Sequence, residues 1–505
     1  MPYSTFQLAL LASTLDGLQE QLNTVLQKRV AVLLPVVIKL LSGEVTPSAA
    51  FQFEEELQDA GRELLRWIAE WTYNQLEGED PESLPKIVRY EGGEYRRENQ
   101  KTPNREVSTR FGKVTLWRFP YRYRVRESEP GIFPLELLLG LVQGATPALA
   151  DAMARYMADS GASQGRVLER LKREHGIHWG VGRLRDLTAA KAQAMEEFRH
   201  QYQVSQVLAW LKEAYDSRGK CKPVLAVGRD GISVCRQPHG FWEVASVATV
   251  TVYDRSGKRL GTIYLAQMPE LGQGELTAQL TSLIRDILAG WEWPLPRLCY
   301  VTDAGENETQ FYRKVLLNLR DPRNRRRRLR WYRIIDYFHA CEKITAMSEC
   351  LFRKDSQEGK SWARKMRKLL LKPNGVSRVL HSAAALAGRN DKRKKMSSER
   401  GKKYDRAYNY LRRRTRFMDY HGYRQLHLPI GSGITEAACK TVFTQRFKLS
   451  GMRWKNELGQ AVLTLRVLLL SGIWDAVRAA SLAAQQSLIT LPQCQHHAES
   501  DAVAA

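Results

Sequence analysis

The chain has 505 residues, with 78 Lys and Arg against 54 Asp and Glu and a formal net charge of +24. That excess repels most soluble proteins and attracts polyanions, which puts nucleic acid first among partner classes and an anionic membrane surface second. The length allows several domains, and the seven scattered cysteines, with no CxxC pair, exclude a zinc knuckle or a disulfide framework and read as small buried hydrophobes.

The opening Met1-Pro-Tyr-Ser-Thr-Phe-Gln7 lacks the basic start of a signal peptide, and the apolar run Val30 to Leu41 is too short to span a membrane and carries Lys39. A soluble, intracellular protein with no membrane partner is expected. Residues 1–90 read as a helical region, with apolar residues at three- and four-residue spacing from Phe51 to Ile68. Over 91–135 the period shifts to two, from Val107 through Phe111-Gly-Lys-Val-Thr-Leu-Trp117, predicting a small basic β-ribbon: a DNA-backbone contact or an ordinary exposed hairpin. Residues 136–215 hold three helices, Pro147 to Met157, Gly165 to Glu174 and one starting near Val181. Their Gly-containing turns fit a helix-turn-helix with Arg183 and Arg185 at the start of the groove-entering helix, or a structural three-helix unit.

From 220 to 340 the order becomes β-β-β-α-β-α-β, a three-strand meander extended by parallel crossovers. The strands are Pro223 to Val227, Trp242 to Tyr253, Leu260 to Met268, Leu298 to Thr302 and Trp331 to Ile335. The basic run Arg325-Arg326-Arg327-Arg328 lies before the last of them. Residues 341–427 form a basic helical insertion whose charge runs favour phosphate contact over a merely solvated face. In 428–480, Leu428-Pro-Ile-Gly-Ser-Gly433 leads into a helix whose Cys439, Val442, Phe443 and Phe447 form an apolar stripe, with Glu436 on the same side. A second helix, Val462 to Leu470, closes the core, and 481–505 read as a disordered tail.

Asp230 and Asp303 each follow an apolar strand run. Carboxylates at the carboxyl ends of neighbouring strands line the functional crevice of an open α/β sheet. Two of them side by side repel unless a divalent cation sits between them, and oxygen donors without Cys or His suit Mg²⁺ or Mn²⁺. A carboxylate facing inward from a covering helix, Glu436, would complete the cage. Two ions roughly 4 Å apart serve in-line phosphoryl displacement. Each aspartate is also readable as a plain turn or helix cap, and Glu436 as a first-turn residue favoured by the helix dipole. Asp336 ends a strand and competes for the third position. His339, three residues on, reads as a hydrogen-bond donor behind the ligands or as a core histidine. No phosphate-binding GxxxxGK[ST] loop or GxSxG elbow appears.

The stretch Pro429-Ile-Gly-Ser-Gly-Ile-Thr-Glu-Ala-Ala-Cys-Lys-Thr-Val-Phe-Thr-Gln-Arg-Phe-Lys-Leu-Ser-Gly-Met-Arg-Trp454, followed by Gly459 to Arg466, resembles the ISKra-type bacterial insertion-sequence transposases. The likeness extends to Ile335-Asp-Tyr-Phe-His-Ala340 and Val301-Thr-Asp-Ala-Gly305, and more weakly to Gly228-Arg-Asp-Gly231 and the helix around Phe51 to Leu65. It spans most of 220–475. The resemblance implies an α/β, RNase H-like catalytic domain with an all-α insertion before the third acid, and a mainly helical DNA-binding region ahead of it. It implies Asp230, Asp303 and Glu436 as the catalytic, metal-binding DDE acids, two Mg²⁺ or Mn²⁺ ions, and Asp336 and His339 as an Asp-x-x-His motif beside them. Where the family often carries Asp-Gly at the second acid, this chain has Asp303-Ala-Gly. The implied reaction is attack of water on a phosphodiester at the element's end, then attack of the freed 3′-hydroxyl on target DNA.

The partners would be double-stranded DNA, as terminal inverted repeats and as target, and at least one further copy of the chain in the bacterial cytoplasm, at the nucleoid. Lys440 would contact the scissile phosphate, with Arg446 a further contact. Arg453 and Trp454 would clamp or stack on an unpaired base, unless Trp454 is a core residue. Two other readings stand beside this one: a DNA-binding regulator of the same fold without catalysis, and an RNase H-type nuclease without strand transfer.

Overall fold

A computed structural model describes residues 19–490, apart from 21, 25, 28, 29, 32, 124–130, 162, 239, 354, 487 and 488. The expected tail beyond 490 therefore lies outside the described residues. The chain divides into two compact units, one formed by Met1–Met157, Ala162–Lys191 and Arg478–Ala505, the other by Ala158–Gly161 and Ala192–Val477. Among the described residues no single helix is long and apolar enough to cross a membrane.

The first unit begins with helices α1 (Leu34–Ser42) and α2 (Pro47–Asn74). Thr46 starts α2 by accepting from the Ala49 N–H at 3.1 Å, with Pro47 at the position where a missing N–H costs nothing. Strands β1 (Ile87–Tyr90) and β2 (Gly93–Arg97) follow, joined through Glu91 and Gly92, both at positive φ. Hairpin β3 (Thr102–Thr109) and β4 (Gly112–Arg118) packs against α2, and Asn74 ties the two by donating to the Thr115 carbonyl at 2.9 Å and accepting from the Trp117 N–H at 2.7 Å. The expected ribbon is thus present, but it is one of two sheets. β1 and β2 pair with β5 (Tyr121–Tyr123) and a short strand at Ile489–Thr490. They cross the expected boundary at residue 90, and their mixture of Arg89, Glu94 and Arg96 with aromatics hides the period of two.

Helices α3 (Pro134–Leu138), α4 (Pro147–Ala158) and α5 (Gln164–His175) follow, and α6 (Val181–Asp216) begins in this unit and runs on into the second from Ala192. Ser163 caps α5, and Gly176 in the left-handed conformation ends it. The three helix starts fall where the sequence places them. The third helix, however, runs 36 residues, because no Gly or Pro interrupts 183–216.

The second unit is built on a five-stranded sheet. Its strands are β6 (Val224–Cys235), β7 (Trp242–Tyr253), β8 (Arg259–Gln267), β9 (Arg297–Thr302) and β12 (Trp331–Ile335), in the order β12-β9-β6-β7-β8. β6, β7 and β8 form an antiparallel meander; β9 and β12 add in parallel. Helix α7 (Gly274–Ala289) and α8 (Glu306–Phe311) make the crossovers, the latter continuing as a π-turn and followed by hairpin β10 (Arg320–Asp321) and β11 (Asn324–Arg328).

One strand differs from expectation. β6 does not stop at Val227 but runs to Cys235, because β7 pairs with its whole length. Its parallel pairing with β9 ends at Val227 opposite Tyr300. From Gly228 onward β6 therefore projects past its neighbour, and Asp230 sits within the strand at that free edge.

The insertion comprises α9 (Tyr337–Leu351), α10 (Gln357–Leu370), α11 (Gly375–Gly388) and α12 (Ser398–Arg414), then α13 (Tyr420–Gln425). It is more than a charged appendage. Ile344, Met347, Met366, Val379 and Leu411 share one core with Val224, Ala226, Cys299, Val301 and Ile334 of the sheet. Each such side chain contributes roughly 1.5–3 kcal/mol when buried, so the insertion and the sheet stand together. Beyond it come α14 (Gly433–Ala438), a π-turn at Cys439–Thr444, α15 (Gln445–Phe447), α16 (Asn456–Leu470) and α17 (Trp474–Gln486). α16 packs against β8, as a closing helix should.

Candidate active site

Asp230 lies on the projecting half of β6. Its Oδ1 accepts from the Gly231 N–H at 2.7 Å and its Oδ2 lies 3.3 Å from the Cys439 thiol. Burial, joined by the negative charges of Asp303 and Glu436, holds its pKa above the usual carboxylate range against these two donors. Two residues earlier, Gly228 makes room for the glutamate-bearing helix: a Cβ there would stand 2.0 Å from Thr435 Oγ1. Thr435 in turn bonds Thr249 of β7 at 2.9 Å, seating α14 on the sheet.

Asp303 follows the last residue of β9. Its Oδ1 accepts from the Gly305 N–H at 2.9 Å, and its backbone carbonyl accepts from Tyr410 Oη at 2.6 Å. Ala304 between them has φ +67, a left-handed conformation that costs a non-glycine residue about 1 kcal/mol or more. Glu436 completes the set from the first turn of α14, with Oε1 accepting from Ser432 Oγ at 2.7 Å. Cys439, Val442, Phe443 and Phe447 are buried as their spacing predicts. Glu436 is not: its side chain is 47% exposed. The π-turn beginning at Cys439 changes the helical phase, so the acid stands at the edge of the stripe instead of in the core.

Asp336 occupies a different environment. It is fully buried and caps α9, with Oδ1 accepting from the His339 N–H at 2.7 Å and lying 3.3 Å from His339 Nδ1. Its Oδ2 accepts from the Ser432 N–H, with Ser432 Oγ at 2.9 Å. Burial alone would raise its pKa, but these bonds outweigh burial and hold it below the ordinary value. The bond to Asp336 lifts His339 to about 9, and His339 Nδ1 lies 3.7 Å from Glu436 Oε1. Donor atoms of Asp336, His339 and Glu436 all fall within 4.8 Å of one another, the spacing of a metal cage. Within it each oxygen of Asp336 already accepts from an N–H group, and His339 Nδ1 faces Asp336. This cluster anchors Glu436 through Ser432. Among the described residues Asp230, Asp303 and Glu436 do not fall together at that spacing; Asp303 and Glu436 act on Asp230 through their charge.

Sequence reasoning missed four contributors. Glu308 is buried, and its carboxyl is pushed up by desolvation and by the charge of Asp303. Ser432 bridges Asp336 and Glu436; the Gly-Ser-Gly run marked a loop but not the hydroxyl's task. Tyr410 and Arg414 reach back from α12 to the carbonyls of Asp303 and Ala304, at 2.6 and 3.4 Å. Only the helical spacing of Tyr410 and Arg414 signalled that the two act on one face.

The candidate DNA contacts separate into two groups. Lys440 and Arg453 are exposed, as are Arg326, Arg327 and Arg328 on β11; the side chain of Arg325 lies outside the described residues. Arg185 is exposed and donates to Gln164 Oε1 at 3.2 Å. Arg446 and Trp454 require correction. Arg446 is fully buried with its guanidinium 4.9 Å over the Trp454 ring. Trp454 is 5% exposed and donates its indole N–H to the Phe447 carbonyl at 3.1 Å. They form a core pair in which the aromatic ring and arginine stem fill volume, so neither meets a nucleotide. Arg183 also serves the fold, donating to the carbonyls of Glu106 at 3.1 Å and Gln143 at 3.0 Å. No family model matches the sequence, and no curated protein matches it.

Proposed function

We propose that the chain is a DDE transposase that cuts DNA at the ends of an insertion sequence and joins the freed 3′-hydroxyls to target DNA. The observation that carries this reading is electrostatic: Asp230 is half-buried, within reach of the charges of both Asp303 and Glu436. Crowding one partly desolvated carboxylate against two others is costly without a cation. The sheet supports the same reading. A meander extended by two parallel strands, in the order β12-β9-β6-β7-β8, is what an RNase H-like catalytic unit would have.

The donor set fits hard divalent ions, since Asp230, Asp303 and Glu436 offer only carboxylate oxygens. Asp230, Asp303 and Glu436 would hold Mg²⁺ or Mn²⁺, which supplies Lewis-acid activation at a phosphodiester. The protein's own part is positioning. β6 and the strained turn after β9 fix two acids, and Ser432, held by Asp336, aims the third. Lys440, exposed one turn beyond Glu436, would contact the scissile phosphate. Pairing two element ends would take at least two copies of the chain.

The test is strand cleavage and joining on the element's own ends with Mg²⁺, using Asp230→Asn, Asp303→Asn and Glu436→Gln. Each variant should lose at least about a thousandfold in rate, the order expected when a positioned charge-stabilising group is removed. Joining that survives in all three would overturn the assignment. Cleavage without joining in the unmodified protein would favour the nuclease reading.

A further inference from the structure

Helix α12 carries Lys402, Arg406, Asn409, Tyr410 and Arg413 at three-, four- and seven-residue spacing, and these line one groove of about 640 Å³ together with Asp405 and Arg414. At one end the groove is stitched to the candidate active site. Tyr410 donates to the Asp303 carbonyl, and the Arg414 guanidinium lies 4.3 Å over the Tyr410 ring while reaching the Ala304 carbonyl. Lys402, Arg406 and Arg413 are exposed, and none makes an ion pair among the described residues. The groove's acid, Asp405, is already neutralised by Arg393, whose Nε lies 3.0 Å from it.

A second basic cleft on the same insertion behaves differently. It is lined by Lys360, Arg364 and Arg367 among others, but Glu349 and Asp355 share its wall. Lys360 lies 3.8 Å from Asp355, and Glu349 is paired with Lys403. Counting Arg353, its wall sets four cations against two acids, where the α12 groove sets four against one. The α12 groove keeps its charge unbalanced and leads to Asp303.

We infer that the α12 groove is the track for the DNA strand running away from the scissile phosphate, with backbone phosphates on Lys402, Arg406 and Arg413. This rests on the nucleic-acid reading above and adds the path. Eleven residues of helix span about 16 Å, enough for about four or five phosphates of one strand at 3.4 Å of duplex axis each. The contacts are to phosphates alone, so the track positions DNA without reading its sequence.

The experiment measures binding of the full chain, in EDTA, to a short fluorescein-labelled DNA duplex of random sequence as salt is raised. Replacing Lys402, Arg406 and Arg413 together by Ala should flatten the slope of log affinity against log salt by about two to three, and Arg413→Gln alone by about one. Lys360→Ala with Arg364→Ala should leave the slope as it is. Thermal melts of each variant identify any that fail to fold, and the single Arg413→Gln change carries the test if the triple one does. An unchanged slope in the groove variants, or an equal loss in the control pair, would overturn the track. Tighter, groove-dependent binding of an RNA duplex than of DNA would overturn DNA as its occupant. Because these measurements are made without divalent ions, failure of the catalytic acids in the cleavage assay leaves them readable on their own.

Discussion

Two carboxylates of the same sheet, Asp336 after β12 and Asp230 on β6, meet opposite conditions. Asp336 is the more deeply buried, yet its hydrogen bonds hold it ionised below the ordinary range. Asp230 is less buried, yet desolvation, joined by the charges of two neighbouring acids, pushes its pKa up against the two donors Gly231 and Cys439. Burial raises both acids, so burial by itself does not separate them. The supply of donors does. A carboxylate whose oxygens are filled by N–H groups belongs to the fold; one short of donors beside other acids is a place for a cation.

The strongest way to break this contrast is to remove each acid and measure stability. Asp336→Ala strips the cap from α9 and leaves the N–H groups of His339 and Ser432 without an acceptor in the core. We expect a loss of about 3 kcal/mol in denaturant unfolding, from a lost cap and buried unsatisfied donors together. Asp230→Asn, which removes charge from a repulsive cluster, should leave the stability of the metal-free protein unchanged or raise it. If Asp230→Asn cost as much as Asp336→Ala, the distinction between the two would be wrong.

A buried carboxyl in the other unit sharpens the same rule. Glu77 accepts from the Phe119 N–H at 2.9 Å, while Lys101 places its ammonium on the Glu77 backbone carbonyl at 2.8 Å. Burial raises its pKa to about 7, with Phe119, Lys101 and Arg118 only partly offsetting it. A folded-state pKa above the unfolded value means the folded chain holds the proton more tightly. The resulting stability is complete below the ordinary glutamate range and is lost as pH rises through about 7. Glu77→Gln should thus match the parent near pH 4 and exceed it near pH 8 by about 2 kcal/mol. A difference that does not vary with pH would contradict the assignment.

Much of the second unit's sheet was readable because its strands are runs of β-branched and aromatic residues. Trp331 to Ile335 is one, bounded as expected, and it ends on Asp336. The β6 boundary was not readable. Gly228, Arg229 and Gly231 look like a turn, and only pairing with β7 extends the strand through them. Asp230 still stands just past the end of the parallel ladder at Val227, which has nearly the effect of a strand end. The inward orientation expected of Glu436 was not correct, because a π-turn has no sequence signature in a 3.6-residue pattern. Arg446 and Trp454 illustrate the opposite limit. A basic chain makes every arginine look like a phosphate contact, and only packing shows that this pair fills the core.

The smallest expected effect tests how the acid-bearing turn is held. Tyr410→Phe removes a hydroxyl that donates to the Asp303 carbonyl and keeps the ring under Arg414. One neutral hydrogen bond is worth about 1 kcal/mol, so global stability should fall by no more than that. Its consequence should appear in the chemistry, because Ala304 is strained and relaxes if the bond above it is lost. A turnover rate several-fold lower with unchanged affinity for DNA is the expected signature of such a positioning residue. The charged groove variants should show the reverse, weaker binding with turnover at saturating DNA little changed. Should Tyr410→Phe weaken DNA binding and leave turnover intact, the tyrosine would belong to the track, and the Asp303 turn would need another support.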